Sequence, residues 1–195
     1  LAGKTVGVTG VPSDDAVLDT VLRSGGVDPS DVHRVTIGFN AVADLAAGKV
    51  DAATAFWNAE GVELQQRDIP VQEFRVDQFG APRYPELVVA TTPGRCALAR
   101  KLAAALDNGY RRMGSQPQAA LDDLLEQVPD LDRGSQVAQL QALLQGHAFS
   151  LGGKFTSRLI GVPAMSWVKW ATDSGVISRG SSAQVASGLA ENVCR

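Results

Sequence analysis

Trp57, Asn58 and Glu60 put an indole, a carboxamide and a carboxylate into the short string Trp57-Asn58-Ala59-Glu60. An indole face stacks on a flat ring, and a nearby carboxylate accepts hydrogen bonds from an amino group or ring N–H. The pair suits a small amino-bearing heteroaromatic ligand, with Glu60 as the leading specificity residue. The plainer alternative is Trp57 packed in a core and Glu60 solvated in the first turn of a helix. Asn40 is a second candidate, because its amide donates and accepts at once and can read a heteroaromatic edge or cap the helix that follows. Ser13, Asp14 and Asp15 form a third group where a strand turns into a helix. Backbone N–H groups at such a turn favour anions, but two adjacent acids favour a cationic or amino-bearing ligand. Helix capping by Ser13 or Asp14 explains the same residues.

Catalytic and metal chemistry find little purchase. His33 and His147 are far apart in sequence, no HxxxH, DxD or cysteine cluster offers a metal site, and there is no nucleophile elbow or phosphate-cradling loop. No catalytic residue, metal or cofactor is expected. Cys96 and Cys194 make no CxxC motif; they either pair in an oxidising compartment or stand as two small buried hydrophobes, the commoner arrangement. The chain of 195 residues is 45% hydrophobic and 20% charged, with a net charge of −3 spread over both signs and no basic stripe. That is an ordinary globular composition, and it excludes nucleic acid as the main partner. No stretch approaches the ~20 apolar residues needed to span a bilayer. The chain opens at Leu1-Ala2-Gly3-Lys4 and runs at once into a strand, so any export signal is expected upstream.

The elements that position these residues read as βα units. Thr5 to Thr9 is a β-rich run ending in Gly10, and Val17, Leu18, Val21 and Leu22 mark one face of a helix closed by Gly25-Gly26. Val32 to Ile37 reads as a second strand, followed by a short helix with Val42, Leu45 and Ala46; Val50 to Phe56 reads as a third, followed by a helix through Leu64. Val71 to Val76 and Tyr84 to Thr92 complete a set of five expected strands. Strands alternating with helices imply a mostly parallel sheet whose ligands sit beyond the carboxyl ends of the strands, here Gly10–Ser13, Phe39-Asn40 and Trp57-Asn58. After Pro93-Gly94 the pattern becomes helical, with Leu98, Leu102, Leu106 and Met113, then Leu121, Leu124, Leu125 and Val128, then Val137, Leu140 and Leu144 at helical spacing. A last helix pair fits Pro163–Ser174 and Ala183–Val193, and Trp167 and Trp170 read as core on the first of these. This helical stretch is expected to lack a sheet of its own.

Several strings resemble the NMT1/THI5-like family of solute-binding proteins, the thiamine-pyrimidine, sulfonate and nitrate group. They are Leu1 to Val8, Ile37-Gly38-Phe39-Asn40, Gly48-Lys49-Val50-Asp51-Ala52-Ala53, Phe56-Trp57-Asn58-Ala59-Glu60-Gly61 and Gly80 to Val88, followed by Gly109-Tyr110, Pro117-Gln118-Ala119-Ala120, Trp167-Val168-Lys169-Trp170 and Asp173 to Ile177. Each is weak alone; their order and spacing over almost the whole chain are specific. The resemblance implies an α/β fold of the type II periplasmic-binding-protein kind, two lobes closing on a ligand about a hinge. On that template residues 1–90 are the second lobe and 91–195 a mostly helical return segment completing the first lobe, whose opening half is absent from this chain. Tyr84, just before the return strand, is then a hinge-side aromatic that either lines the cleft or packs the hinge.

The function so implied is capture of a small polar solute for an ABC importer, without chemistry. The expected protein is a monomer, periplasmic or extracellular and possibly lipid-anchored, handing its ligand to a membrane permease. A thiamine-pyrimidine precursor is the first ligand class, because Glu60 and the acids at 14 and 15 suit an amino-bearing ring better than an anion. Sulfonates, taurine and nitrate are the competing class. Pyrimidine synthases similar to this family depend on a cysteine-rich stretch and histidine chemistry that this chain does not match. The effector domain of a transcription regulator shares the fold and is the remaining alternative.

Overall fold

In the computed structural model the described residues are 1–83, 89, 91–151, 154–155 and 161–185. The protein is mixed α/β, with one small parallel sheet and many helices. Two compact units divide the chain, Leu1–Tyr84 with Ile160–Ala190 and Pro85–Leu159 with Glu191–Arg195.

The first unit is built on β1 (Thr5–Val8), which pairs in parallel with β2 (His33–Thr36) on one side and β3 (Ala52–Ala53) on the other. Thr5 aligns with His33 and Val8 with Thr36, while Val6 and Gly7 align with Ala52 and Ala53. Helix α1 (Pro12–Ser24) returns over the sheet and buries Ala16, Leu18 and Leu22. Leu18 and Leu22 join Val6, Val8 and Val32 in the core, with Leu1, Val27 and Ala52 packed against it. The strand and helix periodicities thus meet in one cluster, which is where folding free energy from apolar burial is concentrated.

The start of α1 differs from expectation. Pro12 takes the first helical position with Val11 as the flanking residue, and no side chain caps the helix. Pro has no N–H to leave unsatisfied there and its φ is already helical. Ser13 and Asp14 are therefore inside the first turn and neither is the cap. Asn40 does stand at the cap position of α2 (Ala41–Ala46), but its side chain makes no capping bond. Helix α3 (Glu60–Gln66) follows β3 through a turn at 57–59.

Two glycines set how β1 leaves the sheet. A Cβ on Gly7 would stand 2.4 Å from Ile37 Cδ1 and 3.0 Å from its Cγ1, so glycine here is what lets Ile37 lie across the central strand. Gly10 has φ 97°, a left-handed conformation that side chains strongly disfavour. On the opposite edge, Asp51 holds the strand entrances together: it accepts from Thr5 N at 2.9 Å and from Lys4 Nζ at 3.2 Å, while its own N–H donates to Thr5 O at 2.8 Å.

Val71 to Val76 is not a strand. The chain is irregular there and enters a 3-10 turn at Val76–Gln78, with Phe74 set edge-on to Phe79 at 5.9 Å. Gln72, Glu73 and Arg75 interrupt this segment and Val71 and Phe74 stay exposed, so it has no face to bury in a ladder. Tyr84–Val88 and Ala90, most of the fifth expected strand, lie outside the described residues, as does the second half of the last expected helix. Helix α7 (Gly161–Asp173) buries Val168 and Ala171, while Trp167 and Trp170 are half-buried. Trp170 Nε1 donates to Thr20 Oγ1 at 3.0 Å, which fastens α7 to α1.

The second unit contains α4 (Cys96–Ser115), α5 (Pro117–Gln127) and α6 (Arg133–Gln145), all anticipated from their leucine spacing. Arg112 joins α4 to α5 through a two-pronged contact with Asp123, at 2.6 and 3.2 Å. Asp132 caps α6 by accepting from Ser135 N at 2.7 Å. The expectation that this stretch has no sheet is corrected by β4 (Ser150–Leu151) and β5 (Lys154–Phe155), an antiparallel pair. The intervening sequence Gly152-Gly153 is a two-residue hairpin signal that a purely helical reading passes over. Cys96 is disulfide-bonded, so the reading of two unpaired cysteines does not hold for it; Cys194 lies outside the described residues.

Gly7→Ala is expected to destabilise the protein by about 1–3 kcal/mol in urea melts, because Ile37 is β-branched and has little freedom to move aside. The Thr5 N–H and then Lys4 hold the Asp51 carboxyl below its ordinary value. Its contribution to stability is therefore present above the unfolded-state value and lost as pH falls through the folded one. Asp51→Asn is expected to flatten the acid side of the stability–pH profile, read as the urea midpoint at a series of pH values.

Candidate functional site

Because β1, β2 and β3 are parallel, all three leave the sheet at the same edge. The strand order β2-β1-β3 fixes the sequence of exits along that edge: Ile37–Asn40 on one flank, Thr9–Ser13 at the centre and Thr54–Asn58 on the other flank. The expected rim residues Asn40, Ser13, Asp14, Trp57 and Asn58 all stand at or just beyond these exits. The parallel pairing brings them to one edge.

The exits are lined by exposed apolar side chains. Phe39 is 79% exposed, Phe56 42%, Trp57 36% and Val11 47%. Rings left in water at the end of a parallel sheet are unusual in a core-forming role and suit a surface that covers a flat ligand. Phe39 stands on the expected rim after the second strand, and Phe56 ends the expected third strand; the exposure of both rings is what the sequence does not give.

Beside these rings lie polar groups of two kinds. Asn40 is exposed, its backbone N–H donates to Ile37 O at 3.3 Å, and its side-chain amide is not used in capping. Glu60 is half-buried and turns back on its own loop: Oε2 accepts from Phe56 N at 2.9 Å, and among the described residues Oε1 accepts no hydrogen bond. Ala59 N and Gly61 N both donate to Phe56 O, at 3.0 and 3.2 Å, so the turn that carries Trp57 is closed from both sides of the Phe56 peptide. A second carboxylate stands close by, for Glu73 Oε1 would lie 3.2 Å from a Cβ on Gly61.

The three residues of the central exit separate in role. Ser13 is exposed. Asp14 is half-buried, and its Oδ2 accepts from Thr9 N at 2.8 Å, Thr9 Oγ1 at 2.7 Å and Thr54 Oγ1 at 2.8 Å. Asp15 turns to β2, where it accepts from Arg34 Nη1 at 2.8 Å while Asp19 takes Nη2 of the same guanidinium. Partial burial works against the charge on Arg34, but the pairs with Asp19 and Asp15 outweigh it and raise its pKa above the ordinary value. Tyr84 lies outside the described residues.

A separate open hollow of about 300 Å³ runs along α7, lined by Met165, Val168, Lys169, Thr172, Asp173 and Ser182 among others, and it includes none of the strand-exit residues. Lys169 and Asp173 are paired across one helical turn there at 2.5 Å. Among the described residues, no group of His, Cys, Asp and Glu could hold a metal ion, and no helix is long and apolar enough to cross a membrane.

The model of the family described as NMT1/THI5 like matches residues 1–120. The formylaminopyrimidine-binding protein of Halalkalibacterium halodurans is 30% identical over 130 residues, covering 64% of this chain and 39% of that protein. A putative thiamine biosynthesis protein of Haemophilus influenzae is 38% identical over 93 residues, covering 46% of this chain and 29% of that protein. The chain therefore spans well under half the length of either relative.

Phe39→Ala is expected to change the unfolding free energy by no more than about 0.5 kcal/mol, the usual size for an exposed position. A larger loss in a thermal melt would make the Phe39 ring part of the fold instead of part of the exposed face.

Proposed function

The chain belongs to the NMT1/THI5-like family, and we propose that it captures a thiamine-pyrimidine precursor, with a formylaminopyrimidine as first choice, for delivery to an ABC importer. The observation that carries this reading is the strand-exit face itself. It offers rings for the two faces of a flat heterocycle, Trp57 with Phe56 and Phe39, and an amide and a carboxylate for its polar edge, Asn40 and Glu60 Oε1. A carboxylate accepts from an exocyclic amino group, whereas a sulfonate or nitrate would meet repulsion from Glu60. The name of the Halalkalibacterium relative points to the same ligand class. Trp57, Asn40, Asn58, Ser13, Glu60 and Tyr84 are the proposed contacts.

Binding on this reading is a two-lobe event. Leu1–Tyr84 with Ile160–Ala190 supply the lobe that carries the strand-exit face, and closure about a hinge holds the ligand without catalysis. A disulfide at Cys96 agrees with an oxidising location, periplasmic or extracellular, where a monomeric binding protein meets its permease.

The test is a thermal-shift panel on the full-length protein with formylaminopyrimidine, hydroxymethylpyrimidine, taurine, an alkanesulfonate and nitrate. A ligand at a hundred times its Kd stabilises by about 2.7 kcal/mol, a clear shift. Stabilisation by the pyrimidines alone is the expected result, and a response confined to the anions would overturn the ligand assignment. Glu60→Gln retains an acceptor for Phe56 N but loses the charge, so it should keep the turn and weaken pyrimidine binding by about 1–3 kcal/mol. Unchanged affinity in calorimetry would remove Glu60 from the contact set.

A further inference from the structure

We infer that Asp14 sets ligand affinity without touching the ligand, as the positioning residue for the segment that carries Phe56 and Trp57. This deepens the reading above and rests on the strand-exit face being the ligand site. A single oxygen, Oδ2, gathers the backbone N–H and hydroxyl of Thr9 and the hydroxyl of Thr54, all within 2.7–2.8 Å. Thr9 is the exit of β1, Thr54 the exit of β3, and Asp14 the first turn of α1, so one atom joins three elements that the sheet ladder leaves behind at this edge.

Thr54 is where the ladder ends on the β3 side: its N–H donates to Gly7 O at 3.0 Å, and the chain then departs towards Phe56 and Trp57. Downstream, Glu60 holds the Phe56 N–H. The aromatic segment is therefore fixed at its start by one carboxylate, through a threonine hydroxyl, and at its end by another. Holding rings in the bound arrangement before the ligand arrives lowers the ordering cost of binding, which is how a group outside the contact set changes affinity. Asp15, one residue on, pairs with Arg34 on β2 and takes no part in this junction.

Thr54→Val decides the matter, because it removes the hydroxyl donor at nearly constant shape and leaves Asp14 in place. Asp14→Ala and Asp14→Asn accompany it, all in the full-length protein. The readouts are hydrogen exchange of the Phe56, Ala59 and Gly61 amides without ligand, each hydrogen-bonded within the turn that carries Trp57, and calorimetric affinity for formylaminopyrimidine. Thr54→Val is expected to speed exchange at these three amides and to weaken binding by roughly three- to tenfold. Asp14→Asn, whose amide oxygen still accepts from the two hydroxyls, is expected to recover most of what Asp14→Ala loses. Exchange and affinity both unchanged in Thr54→Val would overturn the inference. So would Asp14→Asn losing as much as Asp14→Ala while Thr54→Val binds normally, which would make Asp14 a direct charge contact. A wild-type protein that binds no pyrimidine would sink the ligand assignment, and the exchange comparison would still decide the role of Asp14. If the Asp14 variants fail to fold, the isosteric Thr54→Val carries the test alone.

Discussion

Parallel pairing constrains everything else in the first unit. Neighbouring parallel strands must exit at the same edge, and each needs a crossover to return for the next. With β1 in the middle, its two neighbours deliver their loops to either side of the β1–α1 turn. The edge then collects residues from three distant parts of the sequence. Beyond Ile37 and Thr54, whose N–H groups still donate to β1, these loops leave the ladder and need another source of order. The structure supplies it with carboxylates: Asp14 at the central exit, Glu60 beyond β3, and Asp51 at the opposite, entrance edge.

The acids around α1 show how position alone divides residues of the same type. Asp14, Asp15 and Asp19 lie within two turns of one helix, yet Asp14 faces the strand exits while Asp15 and Asp19 flank the Arg34 guanidinium on β2. The arginine pairs fasten helix to sheet along the side of the layer; the Asp19 pair is partly buried, whereas Asp15 stays exposed and its pair adds little. The acids that at first suggest a cationic ligand are thus largely occupied with the protein itself. The electrostatic case for an amino-bearing ring falls mainly on Glu60.

Much of this was legible in the sequence where the signal is local. Val6 and Val8 alternate, Leu18 and Leu22 repeat at helical spacing, and the leucines of α4 to α6 do the same, so these elements follow from periodicity. The start of α1 was misplaced because Ser13 and Asp14 are both good caps on composition, whereas Pro12 decides by fixing φ one residue earlier. Val71 to Val76 reads as a strand from Val71, Phe74 and Val76, but Gln72, Glu73 and Arg75 among them leave no continuous face to bury. The Asp14 junction was out of reach for a different reason: its partner Thr54 lies forty positions away, and only the parallel register brings them together. Local patterns predict what an element is, and seldom what its side chains will hold.

Phe39, Phe56 and Trp57 stand partly in water at the strand exits, and this has a thermodynamic consequence independent of which ligand arrives. Apolar area removed from water carries a negative heat-capacity change. Any occupant that covers these rings must therefore bind with an enthalpy that grows more favourable as temperature rises. On the proposed function, Asn40 and Glu60 select the molecule. The rings determine how that choice varies between a cold and a warm environment, so recognition and temperature response are carried by different side chains of the same edge.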